Sequence, residues 1–247
     1  MARIAEYTIE EEANGLRSRF GLDDRLPVDL EGLLVKQGVL TVFTKMSEDF
    51  SGMCLKYDKD TNFILVNSDM ALGRQNFTIA HELYHLFVQD ENEFKVHSCD
   101  VLNPQSPIEK HANTFASYFL LPQAGVLEMM KKINCDRKTV NAAHIITMCA
   151  YFGVSYKAML VRINKILRMP QDHLERLNTI QPIKAAKEFS LSREVFEKPK
   201  EEKVIGDYSS KAQALYESER ISKGHLIELL NEIKFGGDEK GKNSSGC

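Results

Sequence analysis

The stretch NFTIAHELYHLFVQD (residues 76–90) decides the fold, because its apolar residues recur at the spacing of an α-helix. We predict a helix over these residues with Asn76 as its N-cap. His81 and His85 are about one turn apart, so both imidazoles lie on one face and can bind the same Zn²⁺ ion. Glu82 is rotated by about 100° from His81. This rotation places its carboxylate beside the metal, where it can accept a proton from a metal-bound water.

The HExxH spacing favours a metal site over two unrelated histidines. Such a motif arises by chance in a chain of this length with odds of about 2%. The histidines could instead lie on a helix surface or in the core. However, the residues around the motif are strongly apolar, which predicts that its polar side chains are buried. Buried polar groups need partners, and a metal ion supplies one.

The third ligand is expected on a helix predicted over residues 108–121, which Pro122 ends. A catalytic zinc ion needs three protein ligands and an open position for water. Glu109 lies 24 residues after His85, near the start of this helix, and we predict that it is the third ligand. Asn113 lies one turn later on the same face, where it can hold a ligating imidazole by its other ring nitrogen.

Two further histidines are weaker candidates. His111 is about 200° from Glu109 around the helix, so it is expected to face away from the metal. His97 belongs to the polar segment 91–107, which we interpret as a loop, and a solvated loop histidine is the favoured interpretation.

The three donors and the adjacent acid predict metal-assisted hydrolysis. Zn²⁺ activates a water and polarises a carbonyl, while Glu82 transfers the proton to the leaving amine. The tetrahedral oxyanion usually needs another donor. Tyr84, Tyr118 and His97 are the candidates, although Tyr118 is about 180° from Glu109 on its helix.

Hydrophobic periodicity divides the rest of the chain into helices and short strands. Helices are predicted over residues 3–20, 28–37 and 123–133, twice within 139–168 around a turn at 152–155, and once or twice within 209–234. Strands are predicted over 39–43, 52–57 and 62–67, the last two joined as a hairpin by residues 58–61. Residues 171–205 are charged and weakly patterned. The result is an α+β fold in which a small three-stranded sheet packs on helices.

The 247 residues carry a formal net charge of −3 and an ordinary globular composition. The N-terminal residues lack the apolar segment of a signal peptide. No stretch approaches the roughly 18 apolar residues of a membrane span, so we expect no membrane partner. Five scattered cysteines without a CxxC pair indicate free thiols in a reducing compartment. We therefore expect a cytoplasmic location.

Residues 131–168 carry eight Lys or Arg residues and one acid, a local net charge of +7. The turn in this segment resembles the entry to a recognition helix, whose Lys157, Arg162, Lys165 and Arg168 could contact phosphates. The alternative is a structural helical subdomain with a solvated basic side, which could dock a substrate. We favour the structural interpretation because the apolar residues between these charges must pack, and DNA contact remains the second interpretation.

Four segments together resemble the ImmA/IrrE family of metallopeptidases. RQNFTIAHELYHLFV (74–88) resembles its RxxFTxAHExGH segment, and EKHANTFASYFLLP (109–122) resembles its ExxANxFAxxLLxP segment, with Glu109 at the zinc-ligand position. SGMCLKYDKDTNFILVNS (51–68) resembles its sheet hairpin, and AYFGVSYKAMLVRI (150–163) resembles its FxVSxxAxxxRL element. Tyr84 stands where the family often has Gly, and we expect its side chain to point away from the ligands.

The resemblance implies an intracellular gluzincin-like protease. Its parts would be a zincin-like metallopeptidase domain (1–135), a helical, helix-turn-helix-like part (136–235) and a disordered tail (236–247). Family members typically cleave a helix-turn-helix repressor of the Xre type, which releases genes of a mobile element or a stress response. Such a repressor is therefore the expected partner. If strand 52–57 is a sheet edge beside the zinc, an extended substrate could pair with it. The alternative is that another segment covers this edge.

Two other functions fit parts of the pattern. One is a DNA- or repressor-binding regulator with a structural metal site and no proteolysis. An intact base and an open coordination position argue against it, because four protein ligands close a structural site. The other is a hydrolase acting on a small amide, which the chemistry alone allows. One Zn²⁺ per chain is the expected cofactor, although the same donors also suit Mn²⁺, Co²⁺ or Fe²⁺.

Overall fold

The computed structural model describes residues 2–56, 61–89, 97–99, 106–199 and 203–234, and it confirms the predicted α+β class. The described helices are α1 (Ala2–Phe20), α2 (Leu30–Lys36), α3 (Leu72–Phe87), α4 (Pro107–Leu120), α5 (Gln123–Lys132), α6 (Ala142–Phe152), α7 (Tyr156–Leu167), α8 (Gln171–Asn178), α9 (Pro182–Glu188), α10 (Tyr208–Glu217) and α11 (Lys223–Lys234). The described strands are β1 (Val39–Thr44), β2 (Gly52–Lys56), β3 (Asn62–Asn67), β4 (His97–Cys99) and β5 (Val204–Ile205).

The described sheet has five strands in the order β4-β2-β3-β1-β5, so the prediction of three strands is wrong. β2 and β3 form the predicted antiparallel hairpin, with Cys54 opposite Ile64, and β1 runs parallel to β3. The hairpin turn predicted at residues 58–61 lies largely outside the described residues. β4 has three residues and β5 has two. Strands this short show no periodicity, which is why the sequence did not predict them.

Strand β2 is covered on both sides, so it is not an edge. β4 pairs antiparallel with it and places Gly52 opposite Cys99 and Cys54 opposite His97. The idea that an extended substrate pairs with strand 52–57 is therefore wrong, and the alternative of a covering segment is confirmed. The loop predicted over residues 91–107 is also wrong at 97–99, while residues 91–96 and 100–105 lie outside the described chain.

Helix α4 lies between α1 and α3 and packs against both. Arg17 of α1 is 2% exposed and links α1 to α4. Its guanidinium donates to the main-chain oxygen of Phe119 in α4 at 2.6 Å and to two carbonyls of the α1–α2 connection. Hydrogen bonds from a buried charged group are among the stronger ones in proteins. Arg17 therefore fixes α4, which carries Glu109, against α1.

Helix α3 begins at Leu72, four residues earlier than predicted, so Asn76 is not its N-cap. The Asn76 amide instead donates to the carbonyl oxygen of Gly153 in the α6–α7 turn at 2.8 Å. Gly73 allows this close approach, since a Cβ there would lie 2.7 Å from main-chain atoms of the same turn. Asparagine is a common cap residue, but here it serves a distant contact that no local pattern reveals.

Helices α6 and α7 form the predicted helix-turn-helix-like element, with their axes turned by 111°. Gly153 ends α6 in the left-handed conformation at a φ of 67°, and the Ser155 hydroxyl accepts a hydrogen bond from the first turn of α7. Arg162 is buried, donating to the Leu121 carbonyl oxygen at 2.9 Å and pairing with Glu10 at 3.2 Å. The prediction that Arg162 could contact phosphates is therefore wrong.

The described C-terminal part is more structured than predicted. Residues 171–205 contain α8, α9 and β5, and β5 pairs with β1. Met159, Leu160 and Ile163 of α7 are almost fully buried, which supports the structural interpretation of the basic segment. The domain boundary at residue 135 stays a prediction, and residues 236–247 lie outside the described chain. Among the described helices, none alone is long and apolar enough to cross a membrane, and only the bent pair α6–α7 passes that test of length and composition.

Candidate metal centre

Helix α3 carries two buried imidazoles on its inner face. His81 is 0% exposed and His85 is 1% exposed, so neither is a surface histidine. Their Nε2 atoms lie 3.1 Å apart. The spacing of one helical turn accounts for this arrangement, since residues i and i+4 project from the same face.

The first turn of α4 brings a carboxylate to the same point. Ser106 caps this helix, because its hydroxyl accepts from the main-chain N–H of Glu109 at 3.2 Å. Oε2 of Glu109 lies 3.1 Å from Nε2 of His81, and Oε1 lies 3.5 Å from Nε2 of His85. The Glu109 side chain is 14% exposed, so solvent reaches this carboxylate while the two imidazoles stay buried.

Side-chain amide oxygens hold the outer nitrogens of both rings. Nδ1 of His81 lies 2.9 Å from Oδ1 of Asn113, and Nδ1 of His85 lies 2.5 Å from Oε1 of Gln89. An amide oxygen only accepts hydrogen bonds, so each Nδ1 carries a proton. In the neutral rings each Nε2 then presents a lone pair toward Glu109 and toward the other ring.

These three donors fit a metal ion. One ligand atom from each of His81, His85 and Glu109 lies within 4.8 Å of the other two. Without a cation or an added proton, the converging lone pairs and the carboxylate would repel one another. A tetrahedral zinc ion with bonds of about 2.0–2.1 Å separates its ligand atoms by about 3.4 Å. The observed separations of 3.1 and 3.5 Å match that value.

The pKa of His81 is raised above its ordinary value. Burial alone lowers it, but the hydrogen bond to Glu109 and the negative charges of Glu82 and Glu109 outweigh burial. The local negative charge that favours a proton here also favours a metal cation. Because a ligating imidazole is neutral, metal binding competes with protonation of His81.

Glu82 is fully buried and lies between α3 and β2. A Cβ at Gly52 would lie 3.8 Å from Oε1 of Glu82 and 2.5 Å from the Thr78 methyl group, so only glycine lets β2 approach this closely. Cys54 lies on β2, and burial together with the neighbouring Glu82 raises the pKa of its thiol. The thiol therefore stays protonated and does not act as a thiolate ligand.

The other candidate residues lie elsewhere. His111 faces α1, with its Nε2 2.6 Å from a carboxylate oxygen of Glu12. Tyr84 packs its ring on His111, at a centroid distance of 5.0 Å. Tyr118 packs under Arg162 of α7, and its ring centroid lies 4.4 Å from the guanidinium carbon. The side chain of His97 falls outside what the structure describes. The oxyanion donor proposed among these residues stays a prediction.

A cleft of about 360 Å³ adjoins the metal centre, and we call it the α3–α4–α7 cleft. The cleft shares Asn113 with the metal centre, because Asn113 both contacts His81 and lines the cleft. The lining residues are Ser51; Arg74, Phe77 and Thr78 of α3; Asn113, Thr114 and Ser117 of α4; and Ser155, Lys157, Ala158, Val161 and Lys165 at or on α7.

Two residues of this region, Gln89 and Arg74, were not predicted from the sequence. Gln89 follows His85 by four residues, so the helical spacing of 81, 85 and 89 could have identified it. Arg74 lies on the cleft wall, and its Nη2 is buried without a hydrogen-bond partner among the described residues. No local pattern predicts its role, because α3, α4, α7 and Ser51, which are distant from one another in sequence, form the cleft.

The fold and the three-donor group define a class: an α+β protein in which two histidines of one helix and a glutamate of the next converge as a candidate metal centre. The chain belongs to the ImmA/IrrE family, because the model of the IrrE N-terminal-like domain, Peptidase M78, matches residues 36–164. This range is more than half of the chain, and it contains α3, α4 and the larger part of α7. The family resemblance drawn from the sequence is confirmed, and a metallopeptidase family implies a metal ion.

Two known proteins resemble parts of the chain. Metallopeptidase ImmA of Bacillus subtilis (strain 168) is 34% identical over 91 residues, which are 36% of this chain and 53% of that protein. The chain therefore matches about half of the length of this relative. A solved Mycobacterium tuberculosis transcriptional regulator aligns with a TM-score of 0.44 and 19% identity, covering 64% of this chain and 46% of the other.

Proposed function

We propose that the protein is a zinc-dependent endopeptidase in which His81, His85 and Glu109 hold the metal and Glu82 is the catalytic base. One observation carries the proposal: two imidazole Nε2 atoms and a carboxylate converge within 4.8 Å, beside a second, buried carboxylate. Family membership supports the same reaction class. Mn²⁺ is the alternative metal, since it accepts the same donors.

The side chains divide the chemistry between them. A bound zinc ion would lower the pKa of a coordinated water and polarise the scissile carbonyl. Asn113 and Gln89 fix the orientation and tautomer of the two imidazoles. Glu82 accepts the proton of the attacking water and passes it to the leaving amine. Its burial excludes bulk water from the carboxylate, which strengthens its electrostatic effect.

The number of donors favours a catalytic site over a structural one. Within the described chain the metal-ligand group has three members, whereas structural zinc sites are closed by four protein ligands. A small-amide hydrolase would use the same chemistry.

A regulator without proteolysis is the second function, and the 111° turn between α6 and α7 is the observation that favours it, because DNA-binding helix pairs cross at similar angles.

We propose an Xre-type repressor as the substrate and the cytoplasm as the location. The family and the named metallopeptidase relative support a protein substrate. The helical part around α6 and α7 would dock the repressor, with its basic side in solvent. Cleavage would derepress genes of a mobile element or a stress response.

The test is a cleavage assay with the full chain, added Zn²⁺ and the Xre-type repressor encoded by a neighbouring gene. Wild type, Glu82→Gln and Glu128→Gln are compared, because Glu128 is an exposed glutamate of α5 that serves as a matched control. We expect wild type and Glu128→Gln to cut at one site, and Glu82→Gln to bind zinc without cutting. Equal cleavage by Glu82→Gln would exclude Glu82 as the base. Repressor or DNA binding by all three zinc-loaded proteins without cleavage would favour the regulator.

A further inference from the structure

The α3–α4–α7 cleft lies next to the metal centre along α3. Arg74 precedes His81 by seven residues, so the two are about 10 Å apart along the helix and within about 20° around it. Asn113 joins the cleft to the metal centre from the α4 side. An extended peptide advances about 3.3 Å per residue. A peptide cut at the metal centre would therefore place a residue about three positions from the scissile bond at Arg74.

The charged side chains that line the cleft in the described chain are all positive. Arg74, Lys157 and Lys165 line it, and the described lining contains no Asp or Glu. Lys165 extends over the Tyr118 ring, with Nζ 5.4 Å from the centroid. Nη2 of Arg74 is buried and has no hydrogen-bond partner among the described residues. The described residues therefore do not use the full hydrogen-bonding capacity of this guanidinium, which lines the cleft and remains available to a ligand with an acceptor.

The remaining lining favours a side chain of a peptide over a nucleic acid. Phe77, Ala158 and Val161 give the cleft apolar contact area, while Thr78 and Ser117 offer hydroxyl groups. A pocket of this size with a few polar groups is typical of small-ligand and side-chain binding. A DNA backbone instead needs a broad basic surface that follows successive phosphates. Arg162, another α7 cation that could have belonged to such a surface, is buried in an ion pair.

We propose that the cleft is a specificity subsite that binds the carboxylate of an Asp or Glu in the protein substrate, about three residues from the bond that is cut. Arg74 forms the charge-assisted contact, and Lys157 and Lys165 supply the positive potential. The inference rests on the proposed peptidase function, which it deepens by assigning a class of substrate.

The first test measures binding without cleavage. Zinc-loaded Glu82→Gln protein is titrated with two pools of fluorescent octapeptides, randomised among uncharged residues, with either Glu or Gln fixed at the fourth position. We expect the Glu pool to bind about fivefold to tenfold more tightly, as one charge-assisted hydrogen bond predicts. Adding Arg74→Gln should remove this preference, while the exposed-site control Arg137→Gln should keep it. Equal binding of both pools to the parent protein would overturn the proposal.

Further arms separate the remaining outcomes. If Arg74→Gln does not fold, as judged by thermal melting, Lys157→Gln takes its place and should reduce the preference. A short DNA duplex that displaces the peptides, and that loses affinity in Arg74→Gln, would show a phosphate site instead and overturn the proposal. Wild-type digestion of the same pools tests the proposed function separately. Cleavage without a preference for Glu would leave the peptidase intact and refute the subsite, whereas a Glu preference in binding without any cleavage would refute the peptidase and reduce the cleft to a binding site for acidic peptides.

Discussion

Replacing Asn113 with alanine tests how the protein orients His81, a proposed metal ligand. The Asn113 oxygen lies 2.9 Å from Nδ1 of His81 and fixes the tautomer that leaves Nε2 free for the metal. Losing such an outer hydrogen bond typically lowers metal affinity by about 10-fold to 100-fold. Asn113 lines the α3–α4–α7 cleft, so water can enter the gap and partly replace the amide. We therefore expect a loss near tenfold, about 1.4 kcal/mol.

Competition with a chromophoric zinc chelator at neutral pH measures this loss directly. Thr114→Ala is the matched control, since Thr114 is the next residue of α4 and lines the same cleft, and its hydroxyl donates to the Lys110 carbonyl oxygen of its own helix. Asn113→Asp should retain or increase the affinity, because a carboxylate also accepts from Nδ1 and adds negative charge. Zinc affinity in Asn113→Ala within twofold of wild type would refute the reasoning, as would an equal loss in Thr114→Ala.

Three further changes test the scaffold and the site. Arg17→Leu leaves the buried Phe119 carbonyl without its donor and should lower the free energy of unfolding by about 3 kcal/mol. Urea denaturation measures this loss, and the control Arg19→Leu should lower the free energy of unfolding far less. Gly52→Ala places a methyl 2.5 Å from the Thr78 methyl group, so β2 must shift, and we expect a lower melting temperature and at least a tenfold loss of cleavage rate; unchanged values for both would contradict the tight packing. Main-chain hydrogen bonds hold the pKa of the Asp136 carboxyl group below its ordinary value. The ionised carboxylate therefore stabilises the folded protein above the unfolded-state pKa, and this contribution is lost as the pH falls through the folded-state pKa. Asp136→Ala should therefore destabilise at neutral pH and match wild type in strong acid, in unfolding curves measured across pH; a difference that persists in acid would contradict this assignment.

Helical periodicity carried most of the information about the metal centre. A helix fixes where residues four positions apart project, so the sequence predicted that His81 and His85 share a face. It also predicted that Glu109 and Asn113 share a face of the next helix. The structure brings these four side chains together. Their assignment as ligands and ligand support stays a proposal.

Contacts between distant segments could not be predicted in this way. β4 and β5 are too short to show alternation, and they exist only because they pair with β2 and β1. Asn76 has the chemistry of a helix cap, but its partner is Gly153, 77 residues away. Arg74 gains its significance from a cleft that three helices form together. Each of these features depends on tertiary packing, which local propensity does not encode.

A zinc-edge anomalous difference map of a crystal of the zinc-loaded protein is the most direct test of the central claim. We expect one strong peak bonded to Nε2 of His81, Nε2 of His85 and a carboxylate oxygen of Glu109, at about 2.0–2.2 Å from each atom. Glu82 should lie beside the ion without binding it. A peak at another place, a fourth protein ligand, or no peak at saturating zinc would contradict the proposed catalytic centre.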